Sequence, residues 1–184
     1  MKTFARLVCP ILAIWAAACS KDGPEASLPA ATQFGANTGG CLIDNYPFVA
    51  VGVKASLLSN AIPALAGGFY KDSLYYLVLR GQTNRGLAHI YLFLRSNRVG
   101  TYKLNEPTFF GGGPQRPFNG ALCSFDELPY ESYSTDTRHT GQITLTYTSK
   151  ALGISAGTFA FTAVSGLDST KTVAVVSGRF DNKQ

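Results

Sequence analysis

Histidine is scarce in this chain, which holds only two, His89 and His139. They stand far apart, and neither has a cysteine or serine motif at partner spacing, so no catalytic triad and no zinc site is visible. The glycines at positions 111–113 lack the lysine and the following helix that phosphate binding uses. The sequence contains no nucleophile elbow, P-loop or dinucleotide fingerprint. We therefore expect no metal, no cofactor and no enzymatic activity.

Runs of charge are missing as well. The formal net charge is +5 and the basic residues are scattered, without the cluster that binds a phosphate backbone, so nucleic acid is not an expected partner. Asp126 and Glu127 form the only adjacent acidic pair. This pair is the sole basis for a glycan hydrolase, a reaction that needs two carboxylates facing each other across the substrate.

Long apolar runs are absent except near the N-terminus. Two basic residues precede an apolar stretch at residues 7–15, and three alanines then lead into Cys19. This order predicts a lipoprotein signal peptide at residues 1–18 and a lipidated Cys19, which would place the protein at the outer membrane. An ordinary signal peptide and an N-terminal membrane helix are the alternatives. Because no later run is long enough to cross a bilayer, lipid would be the anchor.

The predicted export across the membrane determines the expected state of the cysteines. Removal of the signal and lipidation of Cys19 leave Cys41 and Cys123 in an oxidising compartment, so we predict a disulfide between them, with two buried free thiols as the alternative. Residues 19–40 are rich in Ala, Pro, Ser, Thr and Gly without an apolar period, which predicts a flexible tether. Residues 41–184 then form a single domain.

Strand patterns fill that domain. Strict alternation over residues 142–148 predicts a half-buried strand, and residues 158–163 and 172–180 repeat the pattern. Residues 74–80 and 87–94 are more continuously apolar, as in central strands, and the loop between them predicts a hairpin. Eight to ten short strands without helices indicate an all-β antiparallel β-sandwich, with a closed lipocalin-like β-barrel as the alternative. Shorter candidate strands are at residues 41–44, 48–53, 65–70, 100–104 and 121–125.

Several segments form a familiar set: GQITL at residues 141–145, GTFAFTA at 157–163 and VVSGRFD at 175–181. Together with GANTGGCLIDNYPF at residues 35–48 and GTYKL at 100–104, the set resembles a family of Bacteroidota lipoproteins classed as a domain of unknown function. The resemblance covers most of the chain after the signal. It implies an exported, lipid-anchored β domain and brings no established activity or catalytic residues.

A long irregular stretch at residues 105–119 is the candidate binding surface. Its aromatic rings stand beside three glycines and beside amide and guanidinium donors, against which sugar rings or peptides stack. The alternative is that the phenylalanines cap one end of the core. With two nearby tyrosines, the predicted surface consists of Phe109, Phe110, Gln115, Arg116, Phe118, Tyr130 and Tyr133.

Aromatic residues also surround one histidine. His89 alternates with Tyr91 and Phe93 on one face of a predicted strand; a packed or surface histidine is the favoured interpretation, and a histidine on an aromatic platform is the alternative. Taken with the rest of the sequence, these features predict a non-catalytic binding or accessory module. Its expected partners are the membrane, through the lipid anchor, and a glycan, peptide or envelope protein. A small β-barrel that carries an apolar ligand and a glycan hydrolase are the alternative functions.

Overall fold

Antiparallel strands account for most of the fold. The computed structural model of the chain describes residues 23–52, 60–71, 73–107, 118–126, 128 and 130–184. A 3₁₀ helix (Pro24–Ser27) precedes the strands. The strands are β1 (Thr38–Ile43), β2 (Tyr46–Ala50), β3 (Leu65–Tyr70), β4 (Leu74–Thr83), β5 (Gly86–Leu94), β6 (Gly100–Leu104), β7 (Gly120–Phe125), β8 (Glu131–Ser134), β9 (Gly141–Ser149), β10 (Ile154–Ser165) and β11 (Thr172–Lys183).

Alternating burial explains why these segments are strands. In β5, Ile90 and Leu92 are fully buried, whereas His89, Tyr91 and Phe93 on the other face are half-buried. Strands β9, β10 and β11 alternate in the same way along much of their length. The predicted strands in these regions are therefore confirmed, and the predicted hairpin between β4 and β5 is confirmed with a tighter turn at residues 84–85.

Hydrogen bonds between strands run around a closed ring of eight strands, in the order β11, β1, β2, β4, β5, β7, β8, β10 and back to β11. The all-β prediction is confirmed, and the closed β-barrel is the arrangement that is found. The two-sheet sandwich that the sequence favoured is not found, because β8 pairs with β7 on one side and with Val164 and Ser165 of β10 on the other. This seam joins strands that would otherwise be edges.

Three further strands lie outside the ring. Strand β3 pairs with β4, and β6 pairs with β9, which itself pairs with β10. Strand β10 thus has three neighbours: β9 and β11 along most of its length and β8 at its last two residues. The pairing of β10 with β9 shifts register between Ala156 and Gly157. Such bulges bend and twist a strand, which lets β10 serve all three partners.

Large side chains fill the barrel interior. The inward residues of the ring and of β6 and β9 form one continuous buried cluster. Tyr75 and Phe159 pack against Phe180, with ring centroids 6.3 Å apart in both pairs. The buried hydroxyl of Tyr75 shares a hydrogen bond of 3.0 Å with the Ser155 hydroxyl. The largest fully buried side chains are Tyr75, Phe48, Leu77, Leu79, Ile90, Leu92, Leu94, Leu104, Ile143, Leu145, Val78 and Val173.

The segment that precedes β1 lies against the barrel. The buried Asp181 carboxylate of β11 accepts hydrogen bonds from the Thr32 hydroxyl and from the backbone N–H groups of Phe34, Gly35 and Ala36. We call this set of contacts the Asp181 clasp. These contacts lie within residues 19–40, which the sequence predicted to be a flexible tether. The prediction is corrected for residues 23–37, which lie against the barrel. The Ala, Ser and Thr composition reflects a docked coil instead of a free linker.

The two core cysteines are free thiols, so the predicted disulfide is not present. Cys41 of β1 and Cys123 of β7 are both fully buried, and three strands separate β1 from β7 in either direction around the ring. The thiols therefore approach from opposite walls. Walls that pack face to face stand about 10 Å apart, whereas a disulfide needs Cα atoms within about 7 Å of each other.

Candidate functional site

Four rings form a continuous patch on the outer surface of β4 and β5. Tyr76 of β4 stands opposite Phe93 of β5 in the register, and their ring centroids are 5.1 Å apart. Phe93 also lies 6.4 Å from Tyr91, in a nearly parallel stack, and 4.9 Å from Phe118. Gly120 of β7 is the residue paired with Phe93 on its other side, so no side chain intervenes there. We call Tyr76, Tyr91, Phe93 and Phe118 the aromatic face.

His89 marks the polar end of the aromatic face. Its Nδ1 lies 3.2 Å from the Tyr91 hydroxyl, and its Nε2 lies 3.7 Å from a carboxylate oxygen of Asp126. Burial lowers the pKa of His89, the Asp126 carboxylate opposes this shift, and the nearby Arg80 guanidinium adds to it. The lowered pKa favours the neutral imidazole at neutral pH, able to donate one hydrogen bond and accept another.

Tyrosine hydroxyls extend this polar end. Burial, reinforced by Tyr76 and Tyr130, raises the pKa of Tyr91 to about 12. Tyr91 therefore keeps its proton and presents a neutral hydroxyl. Tyr130 is 43% exposed and adds a second phenol beside it. The face thus combines uncharged rings and hydroxyls with one guanidinium and one carboxylate at its margin.

A serine, a histidine and an acid meet here without forming a catalytic triad. Ser124 of β7 is the register partner of His89, and Asp126 follows two residues later. In a triad one ring nitrogen faces the serine and the other faces the acid. In this structure Tyr91 occupies Nδ1 and Asp126 faces Nε2, while the Ser124 hydroxyl is fully buried and has no hydrogen-bond partner among the described residues.

The predicted surface residues divide into three groups. Phe118 belongs to the aromatic face through its contact with Phe93, and Tyr130 stands at the polar end of that face. Tyr133 does not: it points into the barrel, is 3% exposed and packs edge-on against Phe125. Its place in the predicted surface is therefore corrected. The remaining positions, and the predicted lipidation site, lie outside the described residues; they are Phe109, Phe110, Gln115, Arg116 and Cys19.

Tyr133 closes one end of the barrel. The Arg85 guanidinium lies 3.8 Å from the centroid of the Phe125 ring and is paired with the Glu131 carboxylate. The Tyr133 hydroxyl donates a hydrogen bond of 2.9 Å to Glu131, and this hydrogen bond lowers the pKa of Glu131. Because these groups satisfy one another, the cluster is a structural cap over the core.

Tyr76 and Arg80 are members of the site that sequence reasoning missed. Residues 74–80 read as one apolar run, which gives no sign of an outward face. What is needed to find them is the pairing between β4 and β5. The two-residue turn fixes the register of this hairpin, and the register places Tyr76 opposite Phe93 and Arg80 opposite His89.

The part of the chain that the structure describes has no group of three or more His, Cys, Asp or Glu residues that could hold a metal ion. No helix within the described ranges is long and apolar enough to cross a membrane. Comparisons with protein families, with curated proteins and with solved structures found no match.

Proposed function

We propose that this chain is a lipid-anchored protein of the bacterial outer membrane whose body is a non-catalytic binding module, and that the aromatic face binds a glycan. The observation that carries the proposal is the aromatic face itself. Three half-buried rings around a fourth, Phe93, form a platform, and hydroxyl, imidazole, guanidinium and carboxylate groups stand at one end. Rings that present an apolar surface beside polar groups suit a ligand with both characters.

The chemistry of the margin favours a sugar over a charged ligand. The Tyr91 and Tyr130 hydroxyls offer neutral donors and acceptors, His89 Nδ1 holds the Tyr91 hydroxyl in place, and the charges of Arg80 and Asp126 stand on either side of His89. Hydroxyl groups of a sugar match neutral donors and acceptors without the cost of burying a further charge. A peptide with an aromatic side chain is the other ligand that such rings accept.

A glycan array tests this proposal directly. The wild-type chain is expected to retain a subset of glycans, and Phe93→Ala is expected to lose them, because Phe93 contacts the other three rings of the face. Phe34→Ala is the matched control, since Phe34 is 70% exposed and stands apart on the docked N-terminal segment. Thermal unfolding of each variant separates lost binding from lost folding. Retention of the same glycans by Phe93→Ala would contradict the proposal.

The lipid anchor rests on the sequence. The charge, apolar and small-residue order before Cys19 and the resemblance to Bacteroidota lipoproteins support it. Cells that express the full chain and receive labelled palmitate are expected to label the wild type and not Cys19→Ser. Equal labelling of the two, or equal partition of the two into the envelope fraction, counts against the anchor.

The carrier of an apolar ligand has weaker support. Its ligand would occupy the barrel interior, where Leu77, Ile90, Leu92 and their neighbours form one continuous buried cluster. The glycan hydrolase stays a prediction; of its two acidic residues, Asp126 faces His89 and Glu127 lies outside the described residues.

A further inference from the structure

A second concave surface lies apart from the aromatic face. It is a groove of about 360 Å³ over β9, β10 and β11, and Ala31 of the docked N-terminal segment forms part of its wall. This volume falls in the range of small-molecule sites, about 300–1,000 Å³. The aromatic face is on β4 and β5, and neither of these strands pairs with β9, β10 or β11. The two surfaces are therefore independent.

The floor of the groove is a row of polar side chains. Thr144 of β9, Thr158 of β10 and Arg179 of β11 are register partners across the three strands and project outward. Gln142 lies one row further along β9. The next position beyond Arg179, on β1, is Gly40, where a side chain would collide with the Phe48 carbonyl. The row thus ends in a guanidinium.

A backbone irregularity stands beside the guanidinium. On β11, the pairings with β1 and with β10 both shift register near Ser177, and Ser177 has a φ of 54°. A serine in this left-handed region is uncommon and costs conformational energy. The bulge turns the Ser177 hydroxyl toward the same end of the groove as Arg179. Bulges of this kind are found next to binding sites, where they re-aim a side chain.

A carboxylate of the chain itself already lies at this end. Glu25, in the 3₁₀ helix, accepts a hydrogen bond of 2.5 Å from the Ser177 hydroxyl, and its other oxygen lies 3.9 Å from the Arg179 guanidinium. Glu25 is 58% exposed, whereas Arg179 is 23% exposed. The guanidinium is thus a fixed part of the wall, and the carboxylate is the exposed partner.

We propose that this groove is a binding site for a small hydroxylated carboxylate, of the hexuronic acid class, and that Glu25 occupies the carboxylate position until the ligand displaces it. Arg179 and the Ser177 hydroxyl would bind the carboxylate through charge-assisted hydrogen bonds. Thr144, Thr158 and Gln142 would bind the hydroxyl groups along the row. The distance of 3.9 Å from Glu25 to Arg179 exceeds a hydrogen bond, so a ligand carboxylate that reaches hydrogen-bond distance gains what Glu25 does not.

Calorimetric titration of the full chain with glucuronate, and with glucose as the neutral counterpart, tests the proposal. Glu25→Gln keeps the shape of the side chain and removes its charge, so glucuronate is expected to bind it about threefold or more tightly than the wild type. Arg179→Gln is expected to weaken glucuronate binding about tenfold or more. Glucose is expected to bind each of these proteins more weakly than glucuronate binds the wild type.

Two controls complete the experiment. Glu106→Gln removes a half-buried carboxylate from another arginine pair, Glu106 with Arg95, and should leave glucuronate affinity unchanged. The same titrations are repeated in the Phe93→Ala background, which removes sugar binding at the aromatic face and so separates this site from the glycan site proposed above. Equal affinity of the wild type and Glu25→Gln, or absence of glucuronate binding to Glu25→Gln, would overturn the proposal. Binding of glucose to Phe93→Ala as tight as that of glucuronate would overturn it as well.

Discussion

Asp181 is a buried carboxylate whose partners come from one stretch of chain. Burial by itself would raise the pKa of Asp181, but the Thr32 hydroxyl and three consecutive backbone N–H groups outweigh burial, and the pKa is lowered. The folded-state pKa is therefore below the unfolded value of about 3.9. A group shifted in this direction stabilises the fold above about pH 4 and loses that contribution as the pH falls through its folded-state pKa.

Asp181→Asn is expected to lower the free energy of unfolding by about 1–3 kcal/mol at pH 7, since an amide cannot accept all of these hydrogen bonds. The difference from the wild type should stay nearly constant from pH 7 to about pH 4 and shrink below about pH 4, where the unfolded chain is protonated at this carboxylate and the pH falls toward the folded-state pKa. Denaturant unfolding at several pH values measures the difference. Amide exchange of Phe34, Gly35 and Ala36 should also accelerate in the variant. A difference that is constant with pH would contradict this account of the clasp.

His89 gives a second prediction at this scale. Because Arg80 helps to lower the pKa of His89 and Asp126 opposes it, Arg80→Gln should raise the midpoint of the His89 titration and Asp126→Asn should lower it. Proton NMR of the imidazole across pH 4–9 measures both midpoints. Arg98→Gln, an exposed position outside the strands, is the control. Shifts of the same sign in the two variants would show that these side chains do not act through their charges.

Gly157 within β10 and Gly166 directly after its end form a matched pair of glycines for a test at the scale of an element. A Cβ at Gly157 would lie 2.3 Å from the Thr144 carbonyl oxygen and 2.9 Å from the Phe180 ring, whereas a Cβ at Gly166 would have its nearest neighbour at 4.0 Å. Gly157→Ala is expected to lower the free energy of unfolding by about 1–3 kcal/mol. Gly166→Ala is expected to change it by less than about 1 kcal/mol. Denaturant unfolding of both variants decides, and equal effects would refute the close packing between β10, β9 and β11.

The alternation of apolar and polar residues predicted some strands and could not predict others. Strands β9 and β10 repeat an apolar and polar period over many residues, so their positions follow from local sequence. Strand β8 was missed because Glu131–Ser134 is short and polar and is a strand through its pairing with β7 and β10. The same brevity explains the error at Tyr133: four residues are too few to tell which side chains point inward.

The candidate site shows the same division. His89, Tyr91 and Phe93 lie on one face of a single strand, and the sequence therefore predicted them together. Tyr76 joins them through pairing between strands, which depends on the register of the β4–β5 hairpin. Phe118 was predicted from composition alone, and its contact with Phe93 is a tertiary one.

Closure of the barrel belongs to the whole molecule and was beyond local patterns. Val164 and Ser165 pair with Ser134 and Tyr133, residues about thirty positions away, and nothing within either segment specifies that partner. A sandwich and a barrel have the same strand periods; they differ in whether two edges meet. The choice between them rests on these few long-range pairs.

The closed ring also predicts how the cysteines react. Burial raises the pKa of Cys41 and of Cys123, and only the thiolate reacts with alkylating reagents. Iodoacetamide is expected to leave both thiols unmodified in the folded chain at pH 8 and to modify both after denaturation without reductant. Mass spectrometry of peptides containing each cysteine measures this. Modification that requires reductant even after denaturation would mean that the disulfide forms after all.

The Asp181 clasp changes the distance at which the barrel can stand from a bilayer. If Cys19 carries acyl chains, three residues (20–22) lie between it and Gly23, where the described coil begins, and the four residue steps from Cys19 to Gly23 span at most about 14 Å. A free linker reaching to residue 40 would let the body sweep a wide volume above the lipid. With an acylated Cys19, this short connection would instead hold the barrel close to the headgroups, and its ligands would have to come within reach of that surface.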